Sequence, residues 1–313
     1  MAIDTSKQET TTLVQNQNPI EPSNGSTVKI TIPTGRIQEK VLKLLNQVGV
    51  EFRATNRSYR PACSDELLEA KFLKAQNIPG LIALGRHDCG FTGYDWIVEQ
   101  EADVVELLNL EFDPVRIIVA VPEEIAETFL KKASELRRPI VVASEYQRLA
   151  AQYIQRKGLE AVYIRAYGAT EALPPEDADV IIDNTATGTT LKANRLVIIE
   201  EIMKSTTRFI CNRAAYENPI KRQKLDELTM LMKGSLLARE KVLLEMNVSK
   251  EDFERVVITL PCMRSPTVSA LHNEDGFAIK VAVPVKDVPG LIPKLVALGA
   301  RDILEYRLEK IVG

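Results

Sequence analysis

Apolar residues along the chain follow two rhythms. In "VKITIPTGRIQEKVLKLLNQVGVEF" a Val/Ile block stops at Pro33-Thr34-Gly35, and Val41, Leu44, Leu45 and Val48 then follow at helical spacing. Such a change of period predicts a strand, a turn and a helix. The unit recurs in "IPGLIALGRHDCGFTGYDWIVEQ", where "GFTGYD" reads as a turn before a helix, and in "VRIIVAVP" followed by "EEIAETFLKKASEL". It recurs again in "PIVVAS" followed by "YQRLAAQYIQRKG", whose Leu149, Tyr153, Ile154 and Leu159 make an inward stripe. "EAVYIRAYG" and "DVIIDNTATGTTLKANRL" add strands, and "LVIIEEIMKSTTRFICN" reads as two more that return to the first unit. Strands alternating with helices predict parallel α/β sheets, here in two lobes around a cleft.

A different rhythm begins at the long amphipathic helix "QKLDELTMLMKGSLLAREK". "KVLLEMNV", "SKEDFERVVITL", "TVSALHN", "GFAIKVAVP", "KDVPGLIPKLVALGA" and "RDILEYRLEKIV" read as strand, helix, hairpin, helix and strand, with Ser249 and Asp252 capping the first helix. The order βαββαβ is ferredoxin-like. The expected division is a first lobe over 27–115 plus about 205–233, a second over 116–204, and a third domain over 234–313. Residues 1–26, rich in Thr, Gln, Asn and Ser, read as a disordered tail. The start has no basic segment followed by an apolar core, and no run reaches membrane-spanning length, so a cytoplasmic protein is expected.

Composition narrows the chemistry. A chain of 313 residues with 45% hydrophobic and 27% charged content has room for two or three cores. Its net charge is −3, with 40 basic residues scattered among 43 acidic ones, which argues against a nucleic-acid partner. Cys63, Cys89, Cys211 and Cys262 form no CxxC pair, so neither a zinc site nor a disulfide framework is expected, and a reducing compartment fits. The only two histidines, His87 and His272, read as surface residues. A Ser/His/Asp or Cys/His nucleophilic site therefore has little support.

The candidate chemistry lies in "DVIIDNTATGTTLKAN". Ile181 and Ile182 end a strand, Asp183 stands at its carboxyl end, and Thr187, Gly188, Thr189 and Thr190 turn into a helix starting near Leu191. Ligands bind at such strand ends, and amides at a helix start, with threonine hydroxyls and a glycine that lets the backbone approach, suit a phosphate monoester. Asp183 would accept from neighbouring sugar hydroxyls. There is no GK[ST], so this is not a nucleoside-triphosphatase loop. A turn with a cap is the plain alternative.

This stretch resembles the phosphoribosyl-pyrophosphate signature of the ATP phosphoribosyltransferase family, which opens histidine biosynthesis, at Asp183, Thr187, Gly188, Thr190, Leu191, Asn194 and Leu196. "IPTGRIQEKVLKLL", "RSYRP", "NIPGLIALGRHDCGFTGYDW" and "YGATEALP" are similar to further segments of that family in the same order. "LPCMRSPTVSALHNEDGFAIKVAVP" and "LVALGARDILEYRLEKIV" resemble the regulatory domain of its long form. The fold implied is two periplasmic-binding-protein-like α/β lobes around a cleft plus a C-terminal ferredoxin-like (βαββαβ) regulatory domain.

The reaction implied is attack by an adenine ring nitrogen of ATP on the anomeric carbon of phosphoribosyl pyrophosphate, expelling pyrophosphate. The resemblance implies Mg2+ with the pyrophosphate, feedback inhibition by histidine, and a homo-oligomer passing between dimer and hexamer. By the same resemblance Thr187, Gly188, Thr189 and Thr190 would hold the 5′-phosphate, Asp183 the ribose hydroxyls, and Gly35 and Arg36 the pyrophosphate or triphosphate. Thr92, Gly93 and Tyr94 would face the same cleft, with Tyr94 able to stack on a base. Glu171 matches an acidic residue before the phosphate loop, and Ser265 and Thr267 would meet histidine. Asp183, Glu171 and Arg36 are the expected catalytic set. Thr34 stands where the family usually has lysine, and this leaves open a paralogue that binds a small anion without catalysis. The short form, which requires a synthetase-like partner, is disfavoured by the chain's own third domain.

Overall fold

The computed structural model describes residues 26–53, 58–129, 138–261, 265–272 and 275–313. The expected tail, except Ser26, lies outside them, as do the later part of "EEIAETFLKKASEL" and Cys262. The first apolar block forms β1 (Val28–Thr34), and the spacing after it forms α1 (Gln38–Gln47), with Val41, Leu44 and Leu45 fully buried. A short pair, β2 (Phe52–Arg53) and β3 (Ala62–Cys63), leads to β4 (Leu68–Lys74), α2 (Ile78–Ala83), β5 (Cys89–Gly93), α3 (Tyr94–Gln100) and β6 (Val105–Asn109). The chain then builds β7 (Val115–Pro122), β8 (Ile140–Ser144), α4 (Gln147–Lys157), β9 (Ala161–Arg165), β10 (Val180–Thr185), α5 (Thr189–Ala193) and β11 (Leu196–Ser205). After Thr206 it returns as β12 (Thr207–Cys211), followed by α6 (Arg213–Glu217) and α7 (Pro219–Arg239).

The first lobe's sheet has the order β4-β1-β5-β12-β6 and the second's β11-β7-β10-β8-β9. Both are mixed, where strand–helix alternation predicts parallel sheets. β12 runs antiparallel to β5 and β6, and β7 runs antiparallel to β10 and β11. The cause is the path between lobes. β7 enters the second lobe where β11 leaves it, with Val115 opposite Ser205, so the two connecting strands must run in opposite directions. A single residue, Thr206, separates β11 from β12, so the chain passes directly from the second sheet back to the first.

"GFTG" is not a turn but most of β5, a fully buried strand between β1 and β12. Glycine serves there because β1 comes so close. A Cβ on Gly90 would lie 1.8 Å from the Thr31 hydroxyl oxygen and 2.8 Å from the Thr31 carbonyl oxygen. A Gly/Thr-rich string therefore reads as a turn from composition, while here it marks a close backbone approach.

α7 closes the first core with Leu225, Leu228 and Met232 and carries the chain into the third domain. That domain contains β13 (Lys241–Ser249), α8 (Phe253–Thr259), β14 (Thr267–Ala270), β15 (Gly276–Pro284), α9 (Val288–Ala297) and β16 (Arg301–Arg307). The order is βαββαβ, in an antiparallel sheet β14-β15-β13-β16. Val242, Leu244, Met246 and Val248 point one way along β13 and pack with Leu291 and Leu295 of α9 in a separate core. The Asp252 amide donates to the Ser249 hydroxyl, which donates to the Asp252 carboxylate at 3.1 Å. Since α8 starts at Phe253, this pair closes the preceding turn rather than capping the first helical turn.

Gly90→Ala is expected to lower stability by about 3 kcal/mol, the upper part of the range for overpacking. It should appear as a lower urea midpoint at unchanged slope.

Candidate active site between the lobes

The carboxyl ends of β1 and β5 in the first lobe, and of β8 and β10 in the second, converge on two contiguous cavities of about 300 and 380 Å3. Thr34, Gly93, Asp95, Tyr146 and Ser205 line the first; Glu171, Asp183, Thr187 and Thr190 line the second. Arg36, Glu145 and Asn184 line both, so they mark one continuous cleft. A larger cavity of about 760 Å3 lies between the first lobe and the third domain, along Lys40, Arg239, Lys241 and Arg307. It is a seam between domains and no strand end of the second lobe reaches it.

The second cavity is floored by the β10–α5 loop. Gly188 adopts φ +78° and donates its amide to the Thr185 hydroxyl at 2.9 Å, which turns the chain sharply into α5. The Thr187 and Thr189 hydroxyls lie 2.9 Å apart. The first intrahelical bond runs from the Lys192 amide to the Gly188 carbonyl, so the amides of Thr190 and Leu191 belong to the turn that helix geometry leaves unpaired, while the Thr189 amide donates to the Thr187 hydroxyl at 3.5 Å. α5 has only five residues, so the local amides and hydroxyls, more than a helix dipole, make this loop anion-attracting.

Asp183 receives the Asn184 amide at 2.7 Å. Burial, with added repulsion from Glu171 and Glu145, pushes its carboxyl up from 3.8 to about 6. Tyr146 donates its hydroxyl to the Asp95 carboxylate at 2.7 Å and accepts from the Asn184 amide nitrogen at 3.2 Å. The other Asp95 oxygen accepts from the Ser205 hydroxyl, which in turn accepts from the Asp95 amide at 3.0 Å. Asp95, Tyr146 and Ser205 are all buried, and Trp96 stacks on Tyr146 at 4.5 Å. Burial and the adjoining Asp95 charge hold the Tyr146 hydroxyl well above its ordinary pKa, so it stays a donor.

The structure brings Arg36, Glu171, Asp183, Thr187 and Thr190 to one cavity, with Gly188 and Thr189 in its loop. Gly35, at φ +87°, turns β1 toward it and places Arg36, whose side chain is about half exposed and 4.0 Å from Asp113. Gly93 lines the neighbouring cavity. Thr92 does not face the cleft: it is fully buried and donates to the Ala75 carbonyl at 2.9 Å. Tyr94 lines neither cavity, and its ring lies 5.0 Å from the Arg208 guanidinium instead. The first departure follows from "GFTG" being a strand, since alternate residues of a central strand point into opposite cores; Tyr94 instead opens α3. Ser265 and Thr267 are exposed at the start of β14, in the third domain. His87 is half-buried rather than on the surface, with Nδ1 unpartnered among the described residues, and burial holds its pKa down. It precedes β5 and so sits at the end of the sheet away from the cleft.

Glu145, Tyr146, Asn184, Asp95 and Ser205 escaped the sequence reading. Glu145 and Tyr146 directly follow "IVVAS", so the strand-end rule that singled out Asp183 would have found them.

Two α/β lobes, facing each other across a cleft that ends in a threonine-glycine loop beside carboxylates, make a site suited to a phosphorylated ligand, and comparison with known proteins places it in the phosphoribosyl-transferring class of glycosyltransferases. The family model of ATP phosphoribosyltransferase (HisG) matches residues 74–234, and that of the HisG C-terminal domain matches 238–310. A relative from Thermodesulfovibrio yellowstonii, an ATP phosphoribosyltransferase, is 41% identical over 91% of this chain and 98% of its own. One of the same name from Chlorobaculum parvum is 37% identical over 93% and 99%. Among solved structures, the ATP phosphoribosyl transferase (HisG:HisZ) complex from Thermotoga maritima matches with a TM-score of 0.56 at 26% identity, over 66% of this chain and 99% of that one. The chain belongs to the ATP phosphoribosyltransferase family. Its reaction moves phosphoribosyl from phosphoribosyl pyrophosphate to the adenine ring of ATP, the first step of histidine biosynthesis.

Because the folded pKa of Asp183 lies above its unfolded value, the cost of ionising it is absent below about pH 3.8 and complete above about pH 6. Asp183→Asn should therefore stabilise the fold at pH 8 by about 1–3 kcal/mol, with a gain that shrinks toward pH 4.5. Thermal unfolding of both proteins at the two pH values measures this; an equal or reversed effect would contradict the burial of that charge.

Proposed function

We propose that the β10–α5 loop holds the 5′-phosphate of phosphoribosyl pyrophosphate, with Thr187, Gly188, Thr189 and Thr190 as the cradle and Asp183 on the ribose hydroxyls. The observation that carries this is the tight turn at Gly188, which presents first-turn amides and threonine hydroxyls to the cavity that Asp183 and Glu171 also line. Arg36, the cation shared by both cavities, takes the pyrophosphate or the ATP triphosphate, for which a guanidinium fork is suited. Gly35 and Gly93 keep the wall beside it open, and Glu171 orients the sugar from the side opposite the loop.

With the sugar so fixed, attack by the adenine nitrogen at the anomeric carbon requires alignment and charge stabilisation more than proton transfer. No set of three acidic, histidine or cysteine ligands among the described residues is arranged to hold a metal. That suits Mg2+ carried on the pyrophosphate, which needs few protein ligands; Asp113 stands beside Arg36, and Asp183 and Glu171 line the neighbouring cavity. On the pyrophosphate, Mg2+ would neutralise charge on the leaving group. In the third domain, Ser265 and Thr267 are the proposed contacts for histidine as feedback inhibitor. The catalytic lobes are taken as 27–115 with about 205–233 and 116–204, the regulatory domain as 234–313, and the assembly as a dimer that becomes a hexamer in the cytoplasm.

Purified protein given ATP, phosphoribosyl pyrophosphate and Mg2+ should release pyrophosphate, and added histidine should slow it. Gly188→Val tests the phosphate seat. Nothing lies within 4 Å of a Cβ there, so the damage comes from the backbone at φ +78°. A β-branched residue pays about 1–2 kcal/mol in that conformation and will pull the loop out of it. Phosphoribosyl pyrophosphate binding should fall at least about tenfold with the circular dichroism unchanged. Unaltered binding would move the phosphate elsewhere.

A further inference from the structure

Glu145 occupies an unusual position. It lines both halves of the cleft and also two adjoining cavities, one along Asn77, Leu81, Leu84 and Gln100, the other along Lys74, Trp96, Arg165 and Tyr167. It thus stands where the proposed sugar seat opens into the rest of the cleft, the side from which a nucleophile must come. Its charge is close enough to Asp183 to add to the repulsion felt there.

The backbone on either side is fixed. The Ser144 hydroxyl donates to the Ile182 carbonyl of β10, and the Ser144 carbonyl accepts from the Tyr163 hydroxyl at 2.8 Å. Tyr146 is tied to Asp95 by its hydroxyl and to the Ser144 hydroxyl by its amide at 2.9 Å. Between these anchors the Glu145 side chain is half-buried, and none of the hydrogen bonds or ion pairs formed by the described cleft residues engages its carboxylate. A carboxylate carried on a fixed backbone, with no partner of its own at the junction of two cavities, is available to accept from a substrate donor.

What it would accept follows from the reaction. As the adenine N1 lone pair forms its bond to the anomeric carbon, the carbon–oxygen bond to pyrophosphate breaks and its electron pair leaves on the pyrophosphate oxygen. The neutral purine becomes a cation, and its charge is shared with the exocyclic 6-amino group. We propose that Glu145 is a catalytic residue that accepts a hydrogen bond from that 6-amino group and stabilises the purine cation as the N1 bond forms. No proton need move. The bond is modest to neutral ATP and becomes charge-assisted in the transition state, so its strengthening is spent on rate rather than on binding. The same contact selects adenine over a purine with a 6-oxo group, which offers no donor there.

This inference rests on the sugar placement proposed above, and the test separates the two. Glu145→Gln keeps shape and acceptor but removes charge, so kcat with ATP should fall by about 10- to 100-fold while phosphoribosyl pyrophosphate affinity at pH 8 stays the same. Purine riboside triphosphate, which also becomes a cation but lacks the 6-amino donor, supplies the comparison: the variant's loss of kcat with it should be several-fold smaller than with ATP. Should the analogue be too poor a substrate to compare, affinity for phosphoribosyl-ATP at pH 7 replaces it. That affinity should drop about tenfold in the variant, with ATP affinity hardly changed. Equal losses with both nucleotides, equal losses for product and ATP, or an undiminished kcat with ATP would each overturn the role of Glu145. Asp183→Asn with undiminished phosphoribosyl pyrophosphate affinity would instead overturn the sugar placement, and the nucleotide comparison would still decide on Glu145.

Discussion

The buried carboxylate of Asp95 is the constraint on which the rest of the cleft depends. It belongs to the first lobe, yet its partners are the hydroxyls of Tyr146 in the second lobe and of Ser205 at the end of the strand that joins them. An ionised group with so little access to water is tolerable only if each oxygen has a donor, and removing one donor would leave a costly unpaired charge. The geometry in which both donors reach it therefore sets how the lobes meet. The cleft's walls, including Asn184 through its bond to the Tyr146 hydroxyl, inherit that setting. The Glu99 carboxylate, also from the first lobe, accepts from the Arg148 and Leu149 amides at the start of α4, at 2.8 and 3.0 Å, so the junction is tied at two points.

The sheet topology serves the same end. Since β7 enters and β11 leaves the second lobe as neighbours, and one residue separates β11 from β12, the lobes are linked by short, adjacent strands. Such a link lets two sheets present their strand ends to one another without a long flexible connection. The strand ends then supply backbone turns at Gly35 and Gly188, both at positive φ, that point polar side chains into the gap.

Much of this was legible in the residues. Period and turn signals located β1 and α1, the β10 strand with its threonine-glycine loop, and the ferredoxin-like third domain, because in each the apolar alternation is strong and the breakers are Gly, Pro or Asn. Two kinds of feature were not legible. Strand direction was misread because alternation of elements says nothing about which strands meet across a junction. "GFTG" was misread because glycine's two uses, freedom at a turn and absence of a Cβ under a close neighbour, are the same letter; only the placement of Thr31 distinguishes them. The junction network was invisible for a third reason: Asp95, Tyr146 and Ser205 are ordinary residues far apart in sequence, and their chemistry exists only once the fold brings them together.

The polarity of the cleft accounts for why acidic groups stand so near a phosphate seat. Asp183, Glu171 and Glu145 would repel any anion placed against them, and burial together with that repulsion raises the Asp183 carboxyl to about 6. Phosphate is therefore welcome only at the amides and hydroxyls of the β10–α5 loop and near Arg36, while sugar hydroxyls and a purine gaining positive charge are welcome at the carboxylates. On the proposed placement, a phosphorylated sugar lies with its phosphate at the loop and its ring along the acids. On that placement the arrangement that costs folding stability, three crowded carboxylates, would fix the orientation from which displacement proceeds and would give the emerging cation a field already in place rather than one that solvent must supply.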